Sequence, residues 1–278
     1  MSPPLLAVDG DSFAHRAYHA LPKTFRRVDG GPANALIGFT GMLLRLWRAE
    51  RPRAVLVGWD TLTVPTYRHV EFASYQSGRE FDAELLEQLS LLPEFVASWG
   101  LAYAKAPGYE ADDFLAAAAA GEEAAGGSTL VATSDRDAFQ LADERTTILQ
   151  PVRGNPPARI GPAEVRERYG VDPGQVVDFI ALRGDPSDKI PGARGIGEKR
   201  AAELLARYGS LDSILADGRF AAEADALRLY RKLATLDRSA PLPALPDRTP
   251  DWAAGADRAR ELGLAGLVRN LEEAAAWT

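Results

Sequence analysis

Leu5-Leu6-Ala7-Val8-Asp9-Gly10-Asp11 decides the fold class, because its plan of four apolar residues followed by carboxylates recurs along the chain. Val55-Leu56-Val57-Gly58 leads into Asp60, and Leu130-Val131-Ala132-Thr133 leads into Asp135 and Asp137. Short continuous apolar runs bounded by turn formers are the pattern of strands buried on both faces, as in a parallel sheet. Shorter runs at 101–104 and 147–149 predict two further strands. Between them lie helical patterns at 13–21, 34–50, 84–99 and 110–120. The second carries Leu36, Phe39, Leu43 and Leu46-Trp47 near a 3.6-residue period, and the third is expected to break or kink at Pro93. Strands alternating with helices predict an α/β fold around a parallel sheet.

The position of the carboxylates then bears on chemistry. In an open α/β sheet, ligands sit in the crevice beyond the carboxyl ends of the strands. Three strands would each deliver acids to that crevice. A fourth cluster, Glu110-Ala111-Asp112-Asp113, opens a helix and puts Glu110 and Asp113 on one face; a fifth, Asp185 and Asp188, lies in Gly-Asp-Pro-Ser-Asp. Each cluster alone has an ordinary explanation, as acids complementing a helix dipole or as turn formers. Their conjunction does not. So much like charge in one place requires cations, and an all-oxygen donor set favours Mg²⁺ or Mn²⁺. A pair of such ions roughly 4 Å apart is the arrangement used for phosphodiester hydrolysis.

Composition narrows the alternatives. The 278 residues contain no cysteine, which excludes disulfides and thiolate chemistry, and only His15, His19 and His69, which argues against a histidine-rich zinc site. No apolar run is long enough for a signal peptide or membrane span, so a cytoplasmic location without membrane association is expected. The formal net charge of −7 is unusual for a nucleic-acid binder, but nine of the 39 acids, the cluster acids other than Asp11, are candidate metal ligands. The 27 arginines and 5 lysines concentrate at Arg26-Arg27, between Arg45 and Arg53, and between Arg194 and Arg200.

From 162 onward the pattern turns helical, with helices expected at 163–169, 175–183 and 198–208. Pro191-Gly192-Ala193-Arg194-Gly195-Ile196-Gly197 separates the last two. Its glycines let backbone amides approach a phosphate, and Arg194, Lys199 and Arg200 add charge indifferent to base sequence. Residues 61–83 show no regular period and are expected to form a functional loop or lid. We divide the chain into a core at 1–165, a helical module at 166–242 and an extension at 243–278 with weak helical periodicity and no assigned role.

These motifs, in this order, resemble the 5′-nuclease family, which comprises the N-terminal exonuclease domain of bacterial DNA polymerase I, phage 5′-exonucleases and flap endonucleases. The likeness runs from about residue 5 to 242 and includes Val8-Asp9-Gly10, Arg16-Ala17-Tyr18-His19-Ala20-Leu21-Pro22, Gly38-Phe39-Thr40, Tyr67-Arg68-His69, Gly108-Tyr109-Glu110-Ala111-Asp112-Asp113 and Ser134-Asp135-Arg136-Asp137, besides the two Gly-containing motifs of the helical part. The resemblance implies a PIN-like nuclease core, a helical arch over 61–83 and a C-terminal helix–hairpin–helix element at 190–208. It further implies two divalent ions, Mg²⁺ or Mn²⁺, held by Asp9, Asp60, Glu110, Asp112, Asp113, Asp135 and Asp137 with Asp185 and Asp188 at the second site, and a K⁺ at the hairpin backbone. Arg16, Arg68 and Arg79 match catalytic cations facing the scissile phosphate or strand. Tyr18 and Tyr75 are expected to stack on bases, and Gly192, Arg194, Gly195, Gly197, Lys199 and Arg200 to grip duplex. The implied partner is DNA with a 5′ flap, nick or 5′ end, or an RNA–DNA primer, bound by a monomer working in replication or repair. With no polymerase region after residue 278, a free-standing nuclease is expected.

Two residues depart from the family pattern: Gln76 stands where Lys is usual, and Lys189 where Asn is usual. Three other readings compete. A haloacid-dehalogenase-like phosphatase would use Asp9, Asp11, Ser134, Asp185 and Asp188, but leaves Glu110–Asp113 and the hairpin unexplained. A DNA-binding protein with weakened catalysis is suggested by Gln76. A PIN-type ribonuclease shares the acidic sheet without the hairpin.

Overall fold

The computed structural model describes residues 2–78 and 80–277. Among them, six strands, β1 (Leu5–Asp9), β2 (Ala54–Gly58), β3 (Ala102–Ala104), β4 (Thr129–Ala132), β5 (Thr146–Gln150) and β6 (Ala158–Ile160), form a sheet in the order β3-β2-β1-β4-β5-β6. The first five pair in parallel, and β6 closes the edge antiparallel to β5. Strand order reverses between β1 and β4, so the topological switch point, where a doubly wound sheet opens a crevice, lies beyond Asp9.

Each central strand is buried on both sides, and its residues alternate between two cores. Leu5, Ala7, Leu56 and Val131 join the core beneath α5 (Ala111–Ala124), which continues into the C-terminal module. Leu6, Val8, Val57 and Ala132 join the core beneath α1 (Gly10–Ala20), α2 (Asn34–Glu50) and α4 (Ala83–Ala97). The alanines of α5 let it lie close to the sheet. A Cβ on Gly58 would come within 2.7 Å of the Ala111 carbonyl oxygen, so glycine at the end of β2 permits the acidic start of α5 to approach β1.

The helical part comprises α6 (Pro162–Tyr169), α7 (Val176–Arg183), α8 (Glu198–Tyr208), α9 (Leu211–Ala216) and α10 (Ala224–Ala234). The extension forms α11 (Trp252–Glu261) and α12 (Ala265–Ala275), which return to cover α2 and α4. Trp252 meets Trp47 edge to face at 5.1 Å and Trp99 at 6.1 Å. Arg51 donates to the Trp277 carbonyl at 2.7 Å, and Arg48 lies 4.9 Å over the Trp277 ring. Arg53 pairs with Glu122 and Asp247 and donates to the Leu245 carbonyl, which pins the Pro-rich connector. The cations between Arg45 and Arg53 therefore include three that secure the C-terminus of the chain.

Four elements differ from the sequence expectations. Helix α4 runs through Pro93 without a break, and that proline is buried. Segment 61–83 contains a short helix, α3 (Tyr67–Glu71). Strand β6 and helix α10 were not expected, although Leu227, Tyr230, Leu233 and Ala234 already carry helical spacing.

Candidate metal centre and hairpin

Asp9 ends β1 and caps α1 in one step. Its Oδ1 accepts the Ser12 N–H at 2.9 Å and its Oδ2 the Thr133 hydroxyl at 2.7 Å. Helix α1 starts at Gly10, three residues earlier than expected, which brings Asp11 into its first turn. Asp11 Oδ2 accepts the Asp60 N–H at 2.7 Å, and Asp60 Oδ1 accepts the Ala111 N–H at 2.7 Å. A chain of backbone contacts thus registers the ends of β1 and β2 and the start of α5. Asp11, Thr133 and Ser12 were absent from the sequence-derived set; the repeated acid in Asp9-Gly10-Asp11 was the available signal.

A cavity of about 670 Å³ opens here, lined by Asp9, Asp11, Asp60, Glu110, Asp112, Asp135, Asp137 and Asp188. Asp185 lines a neighbouring cavity of about 430 Å³, which shares Asp135 and Asp137 and is bordered by Arg136 and Arg183. Eight of the nine predicted metal ligands therefore gather around two adjoining cavities. Burial, reinforced by Asp60 and Asp135, pushes the Asp9 carboxyl up to about 7, with the bonds from Ser12 and Thr133 acting against it. Burial likewise raises Glu110 to about 7 against the pull of Arg68. Asp112 and Asp137 lie well above the usual carboxylate range, chiefly through burial and then through neighbouring carboxylates.

Among the described residues, no three acidic or histidine side chains are gathered tightly enough to hold a metal ion as they stand. The donors nevertheless suit hydrated divalent ions. They are all oxygens, Mg²⁺ retains several waters and takes few carboxylates directly, and Asp112 Oδ1 is buried with no hydrogen-bond partner. An orphaned buried carboxylate oxygen is costly unless a cation completes it.

Asp113 does not line the cavity, and Arg68, which borders it, is engaged with Asp113 as an internal partner. Asp113 is fully buried, and its Oδ2 and Oδ1 accept from Arg68 Nη1 at 2.9 Å and Nη2 at 2.7 Å. The backbone N–H groups of Glu110 and Asp237 add bonds of 3.0 and 2.9 Å. Four donors fill the four lone-pair positions of the carboxylate. Arg68, 1% exposed, also donates to the carbonyls of Leu233 and Thr235. The pair thereby ties α3, the start of α5 and the end of α10 together.

The predicted stacking tyrosines are buried as well. Tyr18 is 1% exposed and packs in the core beneath α1 and α2. Tyr75 is 3% exposed and directs its hydroxyl at Glu110 and Asp188. Neither presents a ring face for a base. Arg16 is half-buried on α1 and lines neither cavity. Arg79 lies outside the described residues.

The hairpin between α7 and α8 is built on back-to-back glycines. Gly184 and Gly192 have φ of 81° and 73°, and a Cβ on Gly192 would stand 2.4 Å from the Gly184 nitrogen. Reciprocal backbone bonds of 2.8 Å between Asp185 and Ile190 close the loop that carries Asp185 and Asp188. Gly195 and Gly197 have open space around them, and Arg194, Lys199 and Arg200 are exposed. Arg183, not singled out in the sequence, pairs with Glu198 at 2.8 Å and approaches Asp185 at 3.5 Å, so it links the hairpin to the acidic loop.

An acid-lined switch-point crevice joined to a helical hairpin module defines a particular class of α/β protein, and comparison with known proteins identifies it. The family model for the 5′-3′ exonuclease N-terminal resolvase-like domain matches residues 4–170, and that for the 5′-3′ exonuclease C-terminal SAM fold matches residues 171–252. This chain belongs to the 5′-3′ exonuclease family. DNA polymerase I of Mycobacterium tuberculosis is 39% identical over 264 residues, covering 90% of this chain and 29% of that protein. The thermostable DNA polymerase I of Thermus thermophilus is 37% identical over 279 residues, covering 96% and 32%. The chain thus spans about a third of the length of these relatives. Among solved structures, T5 5′-exonuclease with bound divalent metal ions (zinc) superposes with a TM-score of 0.70 at 17% identity, over 98% of each chain. The catalytic core of Rad2 in complex with DNA substrate gives 0.62 at 16% identity, over 99% of this chain and 92% of that one. The resemblance seen in the motifs and the expected fold class both hold, and the phosphatase alternative falls. No helix of the described residues is long and apolar enough to cross a membrane.

Proposed function

We propose that this chain is a structure-specific 5′ nuclease that hydrolyses DNA phosphodiesters near 5′ ends or at 5′-flap junctions, with two Mg²⁺ or Mn²⁺ ions as cofactors. The observation that carries this reading is the convergence of buried carboxylates on the switch-point cavity, with an orphaned oxygen on Asp112, in a member of the 5′-3′ exonuclease family. Asp9, Asp60, Glu110 and Asp112 would hold one ion, and Asp135, Asp137, Asp185 and Asp188 the other. Bound there, such ions supply activated water and stabilise charge on the attacking and leaving oxygens.

The remaining residues prepare the site. Ser12 and Thr133 fix the Asp9 carboxylate, and Asp11 and Ala111 fix Asp60. Arg68 and Asp113 hold α3 and α10 against the start of α5, which sets the cavity's walls relative to the hairpin module. Arg194, Lys199, Arg200 and the open glycine turn offer charge and amides to duplex phosphates without reading bases. The test is cleavage of an end-labelled 5′-flap duplex with Mg²⁺, with Mn²⁺ and with EDTA. Metal-dependent product at the junction is expected; tight binding with no cut under any condition would refute the nuclease reading.

A further inference from the structure

Two consecutive residues of the segment before α4 clasp the second acidic loop. Gln76 Nε2 donates to Asp188 Oδ1 at 3.0 Å and to the Tyr75 hydroxyl oxygen at 3.1 Å. The Tyr75 hydroxyl lies 3.3 Å from Asp188 Oδ2 and 3.1 Å from Glu110 Oε2. The Gln76 backbone N–H donates to the Asp188 carbonyl at 3.2 Å. Gln76 adopts φ of 48°, a left-handed conformation that non-glycine residues hold only when their surroundings impose it.

The chemistry of these contacts is selective. The Gln76 amide on Oδ1 and the Tyr75 hydroxyl beside Oδ2 are neutral groups that together define the plane of the Asp188 carboxylate. A neutral amide orients the carboxylate without neutralising it. The Tyr75 hydroxyl, shared between Glu110 and Asp188, touches one acid from each of the two ion groups.

We propose that Gln76 and Tyr75 are positioning residues for the divalent ions: Gln76 orients Asp188 at the second site, and the Tyr75 hydroxyl couples that site to Glu110 of the first. This rests on the two-ion reading of the cavity. Outer partners of metal ligands commonly matter about 10–100-fold in metal affinity, which sets the expected size of the effect.

The experiment is Mn²⁺ titration of the full chain followed by electron paramagnetic resonance, with thermal midpoints in EDTA as a folding control. Gln76→Met keeps the side chain's length and removes the donor. It should weaken the second Mn²⁺ by about 10–100-fold and leave the first unchanged. Tyr75→Phe, which removes only the shared hydroxyl, should weaken both. This pattern is one that general loosening of the structure would not produce. Wild-type affinities in both variants would overturn the proposal, as would equal weakening of both ions in Gln76→Met accompanied by a lowered midpoint in EDTA. Should Gln76→Met fail to fold, Tyr75→Phe carries the test alone. A wild-type chain that binds no Mn²⁺ would sink the two-ion reading itself, before any variant is compared.

Discussion

Asp113→Asn and Asp112→Asn change adjacent residues in the same way, and the structure gives them opposite consequences. Asp113 receives four hydrogen bonds, two of them from Arg68, and both side chains are essentially inaccessible. The amide would retain one acceptor oxygen, turn an N–H₂ group toward donors and leave the Arg68 guanidinium buried beside Glu110 alone, 3.2 Å away. Breaking a buried pair from one side costs about 3–5 kcal/mol. At about 2–4 °C per kcal/mol for a chain of this size, the thermal midpoint should fall by roughly 6–20 °C. Asp112, in contrast, carries the unpartnered Oδ1 and is repelled by Asp9 and Asp135. Its amide should leave the metal-free midpoint unchanged or raise it, while abolishing the stabilisation that Mg²⁺ gives the wild type. Circular-dichroism melts in EDTA and in excess Mg²⁺ separate the two. A melting double-mutant cycle on Arg68→Met and Asp113→Leu should show the pair costing less than the sum of the singles. If Asp113→Asn melts like the wild type in EDTA yet loses its response to Mg²⁺, Asp113 is a ligand and the positioning role is wrong.

Three further outcomes are expected. Glu110 and Asp9 have carboxyls raised to about 7, so the folded chain holds these protons more tightly than the unfolded one; stability from them is full below the ordinary carboxylate range and lost as pH rises toward 7. The metal-free midpoint should therefore be lower at about pH 8 than at about pH 6, with Mg²⁺ narrowing the gap, and an EDTA midpoint that climbs over this range would contradict it. Replacing Arg194 and Lys199 together by alanine should weaken duplex binding equally for unrelated sequences and reduce the slope of log affinity against log salt by about 2; an unchanged slope removes them from the phosphate interface. Trp252→Ala should cost about 3–5 kcal/mol, because the ring is 3% exposed and meets Trp47 and Trp99; a wild-type melt would show that α11 and α12 cover α2 and α4 without stabilising them.

The strands and their carboxylates were legible because both signals are local. Four consecutive apolar residues suit a strand buried on two faces, and an acid directly after such a run must lie at the strand's carboxyl end. Asp9, Asp60 and Asp135 follow from that alone, and the reversal of strand order between β1 and β4 supplies the crevice. The hairpin was legible for the same reason, since its glycines and cations lie within a few residues of one another.

Residues whose partners are remote in sequence could not be assigned this way. Arg68 finds Asp113 45 positions away and the Leu233 carbonyl 165 positions away, so nothing near it distinguished a buried clamp from an exposed phosphate contact. Arg51 and Arg53 looked like part of a basic patch, yet their partners are Trp277, Glu122 and Asp247. Tyr18 is the exception, because Ala14, Ala17 and Tyr18 form a helical stripe with Phe13 and all are buried; periodicity alone argued for the core over base stacking. Charge shows the same division. The net −7 describes neither surface nor site: carboxylates collect in the cavity, several arginines are spent on internal partners, and exposed cations remain at the hairpin. On the proposed function, a chain with this distribution would bind a polyanion despite its sign, because the phosphate would meet the local field of the hairpin while cations in the cavity offset its carboxylates.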